Sequence, residues 1–88
     1  MYRIQLARRA ERGLRRIRQG DPTSYQRIAE AIRSLARDPQ PAGVVKMAMF
    51  DPPAWRLRVG QYRVVYEIHE TEVVIVGVNV APRGEVYR

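Results

Sequence analysis

The sequence contains no cysteine and only one histidine, His69. Without cysteine the chain has no disulfide, no thiolate nucleophile and no zinc or iron–sulfur site built on cysteine. A single histidine excludes histidine-rich metal sites and the ribonuclease chemistry that needs two histidines. The carboxylates are scattered, and neither a P-loop nor a GxGxxG motif is present. We therefore expect that the protein uses no metal and no cofactor.

Long hydrophobic runs are also missing. The longest apolar run, Val73 to Val78, is far shorter than the roughly 20 residues that span a membrane. The opening segment, Met1 to Ile4, lacks the hydrophobic region of a signal peptide. We expect a cytoplasmic protein without membrane contact. A chain of 88 residues supports one modest core, which predicts a single domain over residues 1–88.

Lysine is scarce although the chain is strongly basic. There are 16 Lys and Arg residues against 9 Asp and Glu, and 15 of the 16 cations are arginine, with Lys46 the exception. This excess of positive charge predicts a polyanionic partner, either a nucleic acid or an acidic protein. GC-rich coding would explain the preference for arginine over lysine, but it would not explain the net charge of +7.

The first half of the chain predicts a short strand and two helices. The alternation from Tyr2 to Leu6 is typical of a strand. Apolar residues at helical spacing from Ala7 to Ile17 predict an amphipathic helix. Its opposite face carries five arginines: Arg8, Arg9, Arg12, Arg15 and Arg16. Asp21 as N-cap and Pro22 at the first helical position begin a second helix.

Beyond Gly43 the hydrophobic period changes from that of a helix to that of a strand. The pattern predicts four strands: Val44–Phe50, Trp55–Val59, Tyr62–Ile68 and Val73–Val80. The register of the last strand stays open by one residue, because valine occupies both of its faces. The predicted fold is α+β, with two N-terminal helices packed on one face of a mostly antiparallel four- to five-stranded sheet.

A two-residue hairpin turn at Gly60 and Gln61 fixes which side chains of the middle strands share a face. In this register Arg58 lies opposite Arg63, and Arg56 lies on the same face. Like charges directly opposite one another destabilise a sheet. Guanidinium groups bind phosphate oxygens bidentately, so the three arginines predict a phosphate-binding surface.

An alternative is that the arginines are only solvated, or that a carboxylate such as Glu67 neutralises them. The tail adds Arg83, Tyr87 and Arg88 close to the hairpin. Tyr87 is either a packing aromatic or, with its pKa lowered by arginines, a group that exchanges a proton with a ribose hydroxyl. Lys46 would join the positive surface from the first strand after the helices, whereas His69 in a turn is expected to be a surface residue.

Two sequence blocks resemble a known family. They are the W-R-L-R-V-G-x-Y-R-V-x-Y block that begins at Trp55 and the E-V-Y-R block that ends at Arg88. Both resemble the RelE toxins of the RelE/ParE superfamily, and the likeness covers nearly the whole chain. Many relatives end in G-H-R-R-E-V-Y-R, and here Ala81-Pro82-Arg83-Gly84 replaces the first half of that pattern.

The resemblance implies a RelE-like fold and a toxin of a type II toxin–antitoxin system. The implied activity is that of a ribosome-dependent, metal-independent mRNA endoribonuclease, an mRNA interferase that inhibits translation. Attack by the RNA 2′-hydroxyl would give a 2′,3′-cyclic phosphate. The implied catalytic residues are Arg56, Arg63, Arg83 and Tyr87. The implied RNA-binding residues are Lys46, Arg58 and Arg88.

The same resemblance implies three kinds of partner: an acidic, RelB-like antitoxin, the ribosome with its mRNA, and operator DNA bound only by the toxin–antitoxin complex. Two other functions are compatible with the sequence. One is inhibition of DNA gyrase by a ParE-like toxin, which shares the fold without the nuclease chemistry. The other is a catalytically weakened toxin that only binds its antitoxin and operator DNA.

Overall fold

The fold consists of two helices and five strands, in a computed structural model that describes residues 1–47 and 52–81. In chain order they are β1 (Arg3–Leu6), α1 (Arg8–Gly20), α2 (Pro22–Leu35), β2 (Val45–Met47), β3 (Ala54–Val59), β4 (Tyr62–Ile68) and β5 (Glu72–Val80). The predicted α+β class is confirmed. The predicted strand Val44–Phe50 is observed as β2, and its residues 48–50 lie outside the described residues.

The strands form one mixed sheet in the order β1-β5-β4-β3-β2. Strand β1 pairs with β5 in parallel, and the other neighbours are antiparallel. The sheet is therefore mostly antiparallel, as predicted. Its parallel edge joins the two strands that are farthest apart along the described chain, so this pairing depends on every element between them.

Asp21 fixes the joint between the two helices. Its Oδ1 accepts a hydrogen bond from the backbone N–H of Ser24 at 3.2 Å, which caps α2, and Pro22 occupies the first position of that helix. The hydroxyl of Tyr62 donates to Oδ2 at 3.2 Å. Hydrogen bonds from Ser24, and then from Tyr62, lower the pKa of Asp21. The predicted cap is confirmed, and it also ties the joint to β4.

The core lies between the helices and one face of the sheet. The helices contribute five buried apolar residues: Ala10, Ile17, Ile28, Ile32 and Leu35. The facing sheet residues are Tyr62, Val64, Tyr66, Val73, Ile75 and Val78. Tyr66 is fully buried, and its hydroxyl donates to the carbonyl oxygen of Pro39 at 2.7 Å. Burial, and next the negative charge of Asp38, raise the pKa of Tyr66.

A bulge in β5 settles the register that the sequence left open. Tyr66 pairs with Ile75, but its neighbour Val65 pairs with Gly77, so Val76 is an extra residue between the two pairs. Before the bulge Ile75 faces the core, and after it Val78 does. The odd-numbered residues of β5 therefore face the core before the bulge and the even-numbered ones after it. This change explains why valine occupies both faces of the strand.

Gly13 lets α1 approach β5 closely. A Cβ placed on Gly13 would lie against the carbonyl oxygen of Val78, closer than van der Waals contact allows. Glycine in a helix interior costs up to about 1 kcal/mol relative to alanine, so its presence here serves packing. Neither helix of the described chain is long and apolar enough to cross a membrane.

We predict that Gly13→Ala destabilises the protein by about 1–3 kcal/mol despite the better helix propensity of alanine, because α1 must move away from the Val78 backbone. The matched control is Gly20→Ala, where an added Cβ meets nothing within 4 Å. Urea unfolding followed by circular dichroism measures both. Equal stability of the two variants would contradict the close contact.

We predict that Tyr66→Phe destabilises the protein by about 1 kcal/mol at pH 8, because the Pro39 carbonyl loses its donor. Since folding raises the pKa of Tyr66 above its usual value of 10.0, the unfolded chain loses the phenolic proton first as pH rises. The wild type should therefore lose stability above about pH 10, and its advantage over the phenylalanine variant should shrink. Urea unfolding at pH 8 and 11 tests this, and an unchanged difference would contradict it.

Candidate functional site

The β3–β4 hairpin has the register that its turn residues predict. Gly60 adopts a φ of +61°, which favours glycine, and Val59 pairs with Tyr62 across the turn. Arg58 then pairs with Arg63, as predicted. Leu57 to Trp55 continue the same register with their partners on β4, so the two faces of the hairpin are fixed.

Three arginines lie together on the face opposite the helices, and we call Arg56, Arg58 and Arg63 the arginine face. Arg58 and Arg63 are directly paired, and Arg56 is two residues before Arg58 on the same side of β3. All three are half-buried. The predicted convergence of these arginines is therefore observed in the sheet register.

Two of these guanidinium groups are held at their inner nitrogen. The Nε of Arg58 donates to the carbonyl oxygen of Gly60 at 2.7 Å, and the Nε of Arg63 donates to Oδ1 of Asn79 at 3.2 Å. Asn79 also pairs with Arg63 across β4 and β5. Asn79 was not predicted from the sequence, since its place beside Arg63 depends on the register after the β5 bulge.

A carboxylate shares this side of the sheet. Glu67 lies four residues after Arg63 on β4 and pairs with Ala54, which puts it diagonal to Arg56. Its Oε1 is 2.9 Å from Nε2 of His69. His69 is partly exposed, as expected for a surface residue, but its contact with Glu67 was not foreseen. The only sequence signal for this arrangement was the alternation of residues 63 to 69, which places every second side chain on the same side of the sheet.

Lys46 is not brought to the arginine face. It pairs with Trp55, whose side of β3 faces the helices, and its Nζ lies 5.7 Å from the centre of the Trp55 ring. The expectation that Lys46 extends the positive surface formed by the arginines therefore needs correction. The reason is the register of β2, which alternates sides at every residue and is not set by a tight turn.

The predicted tail residues Arg83, Tyr87 and Arg88 lie outside the described residues, so their roles stay predictions. The last described residue, Ala81, donates its backbone N–H to the carbonyl oxygen of Gln61 at 2.8 Å. The chain therefore leaves β5 beside the β3–β4 turn, next to Arg58 and Arg63. This is the position from which the tail was expected to start.

Paired and anchored guanidinium groups suit the binding of phosphate. Their charge persists at any physiological pH, and each planar group offers several donors to phosphate oxygens. In residues 1–47 and 52–81, no three His, Asp or Glu side chains lie close enough to hold a metal ion. The chemistry that these described residues offer is electrostatic: guanidinium groups in such an arrangement can bind a phosphate and stabilise negative charge that develops on it.

The fold is similar to that of several solved structures. A chain of the archaeal RelE–RelB complex from Pyrococcus horikoshii OT3 matches with a TM-score of 0.77 at 24% identity, over 97% of this chain and 98% of that one. The YoeB dimer from Staphylococcus aureus matches with 0.75 at 17% identity, over 92% and 98%. The YoeB/ParE toxin from Agrobacterium tumefaciens matches with 0.74 at 16%, over 91% and 99%. At identities this low, the structural similarity establishes the fold alone.

The family itself is established by a sequence model. The model of the ParE toxin of the type II toxin–antitoxin system parDE matches residues 4–87. The protein therefore belongs to the ParE toxin family, within the RelE/ParE superfamily of type II toxins, and the resemblance inferred from the sequence is confirmed. A search of curated proteins found no significant match.

We predict that Asn79→Ala releases the Nε of Arg63 while that of Arg58 stays held by Gly60. The Nε–H of Arg63 should exchange with water about 3- to 10-fold faster, the factor expected for a net hydrogen bond of about 0.5–1.5 kcal/mol. Arginine side-chain ¹H–¹⁵N spectra measure both groups at once, and Arg58 is the internal control. Unchanged exchange at Arg63 would show that the bond contributes little in solution.

Proposed function

We propose that the protein is a ribosome-dependent, metal-independent mRNA endoribonuclease that inhibits translation. The observation that carries the proposal is the arginine face, where Arg58 and Arg63 are directly paired and anchored at Nε. A sheet built for stability alone gains nothing from opposed like charges. A site that stabilises a doubly charged phosphorus transition state does gain from them.

In the proposed reaction the 2′-hydroxyl oxygen of a ribose attacks the adjacent phosphorus. A base takes the 2′-hydroxyl proton, the bond from phosphorus to the 5′ oxygen breaks, and an acid protonates the leaving oxygen. The products are a 2′,3′-cyclic phosphate and a 5′-hydroxyl. Arg56 and Arg63 would neutralise the charge that grows on the non-bridging oxygens, and Arg58 would position the phosphate.

The tail residues complete the proposed site. Arg83 would add charge stabilisation and Tyr87 proton transfer, or base stacking in an alternative role, while Arg88 and Lys46 would contribute to RNA binding. The hydrogen bond between Ala81 and Gln61 supports this assignment for the tail, since the chain begins its tail beside the arginine face. For Lys46 the contribution would come from the other side of the sheet.

We also propose an acidic antitoxin as the partner. Related folds are found in complexes, RelE with RelB in P. horikoshii and YoeB with YefM in S. aureus. This chain offers an apolar groove between β1 and the helices, lined by Leu6, Leu14 and Tyr25. Its rim carries three arginines, Arg15, Arg18 and Arg33, against one carboxylate, Glu11. An amphipathic acidic segment would satisfy both features, and operator DNA would be bound only by that complex.

Inhibition of DNA gyrase is the second candidate, favoured by the ParE name of the matching family model. A gyrase inhibitor has no need of a phosphate-directed cluster such as the arginine face. The two candidates differ in their product: cut mRNA on ribosomes in the cytoplasm, or gyrase-dependent breaks in DNA.

Purified protein added to translating ribosomes should cut mRNA at codon-positioned sites and leave 2′,3′-cyclic phosphate ends. We predict that Arg63→Ala and Tyr87→Phe each slow cleavage by at least about tenfold, because both groups act in the transition state. The matched control is Arg37→Ala, which removes an exposed arginine at the end of the helical hairpin. Primer extension maps the cuts, and circular dichroism confirms folding.

Wild-type cleavage rates in both folded variants would overturn the residue assignment. Intact mRNA together with gyrase-dependent DNA breaks would overturn the nuclease and support the second candidate. Intact mRNA and intact DNA, with antitoxin binding retained, would identify a toxin that has lost its activity.

A further inference from the structure

A second basic cluster lies on α1, away from the arginine face, and we call Arg9, Arg12 and Arg16 the α1 notch. These residues are three, four and seven positions apart, so they occupy one side of the helix. With Gly13, Val78 and Asn79 they line a single cavity between α1 and the end of β5. Three guanidinium groups therefore surround one concave surface.

The close contact of Gly13 with β5 creates this cavity. Because α1 approaches the backbone at Val78, the arginines on either side of Gly13 stand at the border of helix and sheet. Strand β1 pairs with β5 only from Glu72 to Ile75, so it does not extend along the end of β5 that forms the notch. The arginines there face solvent.

The charge of the notch is not compensated within the described chain. Among residues 1–47 and 52–81, none of its three guanidinium groups forms an ion pair. The only acidic residue of α1, Glu11, lines the apolar groove instead of the notch. A concave site with a charge of about +3 attracts a polyanion at close range.

We propose that the α1 notch binds the sugar–phosphate backbone of RNA, as a second site separate from the arginine face. The inference rests on the proposed function for its choice of RNA as the polyanion. Arginines one helical turn apart contact successive charges of a backbone, and such contacts position RNA without reading its sequence. The notch thus holds and orients RNA instead of cleaving it.

Asn79 links the two sites. It lines the α1 notch, and its Oδ1 accepts the hydrogen bond from Nε of Arg63 on the arginine face. An RNA held in the notch is therefore adjacent to the proposed cleavage site. Binding energy gained away from the reacting phosphate then helps to orient it.

The chemistry of the notch favours RNA over an acidic protein. Its lining is polar, apart from Val78, and gives little apolar surface for a peptide to bury. On the other side of α1 the apolar groove combines Leu6, Leu14 and Tyr25 with an arginine rim. An amphipathic acidic peptide gains more there, which leaves the notch to a ligand that is charged along its whole length.

The test is the affinity of the full chain for a fluorescent single-stranded RNA with 2′-O-methyl sugars, which the proposed reaction cannot cleave because the attacking 2′-hydroxyl is blocked. The notch variant replaces Arg9, Arg12 and Arg16 with glutamine. The control variant replaces Arg3, Arg27 and Arg37 with glutamine, which removes the same charge from exposed positions outside the notch and the groove. Anisotropy is recorded from about 50 to 200 mM salt, where phosphate contacts dominate the salt dependence.

We predict that the notch variant binds at least about tenfold more weakly at low salt than the wild type. The slope of log affinity against log salt should fall by about 2, or roughly 0.7 for each phosphate that an arginine no longer neutralises. The control variant should keep a slope close to that of the wild type. Equal decreases in affinity in the two folded variants would overturn the inference, because net charge alone would then explain binding.

Two further outcomes separate this inference from the proposed function. If the notch variant keeps its RNA affinity while the wild type still cuts mRNA, the notch is not an RNA site and the nuclease proposal stands. If the wild type cuts no mRNA but the notch variant loses RNA binding, the nuclease fails and the notch stands. Poly-glutamate serves as a second probe, which stands for an acidic protein. If the notch variant loses binding to poly-glutamate but keeps its binding to RNA, the notch binds an acidic protein and the inference is overturned.

Discussion

The pairing of Arg58 with Arg63 is the constraint on which the arginine face depends. The tight turn at Gly60 fixes this pair, and the pair in turn decides which residues of β3 and β4 face the core. The opposite face of β4 buries Val64 and Tyr66, and this burial stabilises the hairpin whose outer face carries the two arginines. Apolar burial of that kind outweighs the few tenths of a kcal/mol that opposed like charges cost.

Local signals in the sequence predicted much of this structure. Asp21 and Pro22 identified the start of α2, and the two-residue turn gave the complete β3–β4 register. Both signals act over a few residues, where chemistry and geometry are tightly linked. The same locality explains why the arginine face was predictable although its charges are spread over two strands.

The features that could not be predicted from the sequence arise from contacts between distant segments. Lys46 was assigned to the wrong side of the sheet because no tight turn sets the register of β2. Asn79 reaches Arg63 only because the bulge at Val76 changes the face of β5. Helix α1 approaches Val78 closely because Gly13 has no side chain. The hydrophobic periodicity of the sequence does not indicate such a contact. Each of these features depends on contacts between distant segments, which local sequence patterns do not indicate.

The parallel pairing of β1 with β5 has a consequence for how the protein is made. Strand β1 is synthesised first, but its neighbour in the sheet is the last strand of the described chain, so its hydrogen bonds form only after the other strands exist. Contacts of such long sequence separation form slowly. The two helices are therefore synthesised before the sheet that covers them can be completed. The basic chain thus leaves its ribosome before its fold is complete.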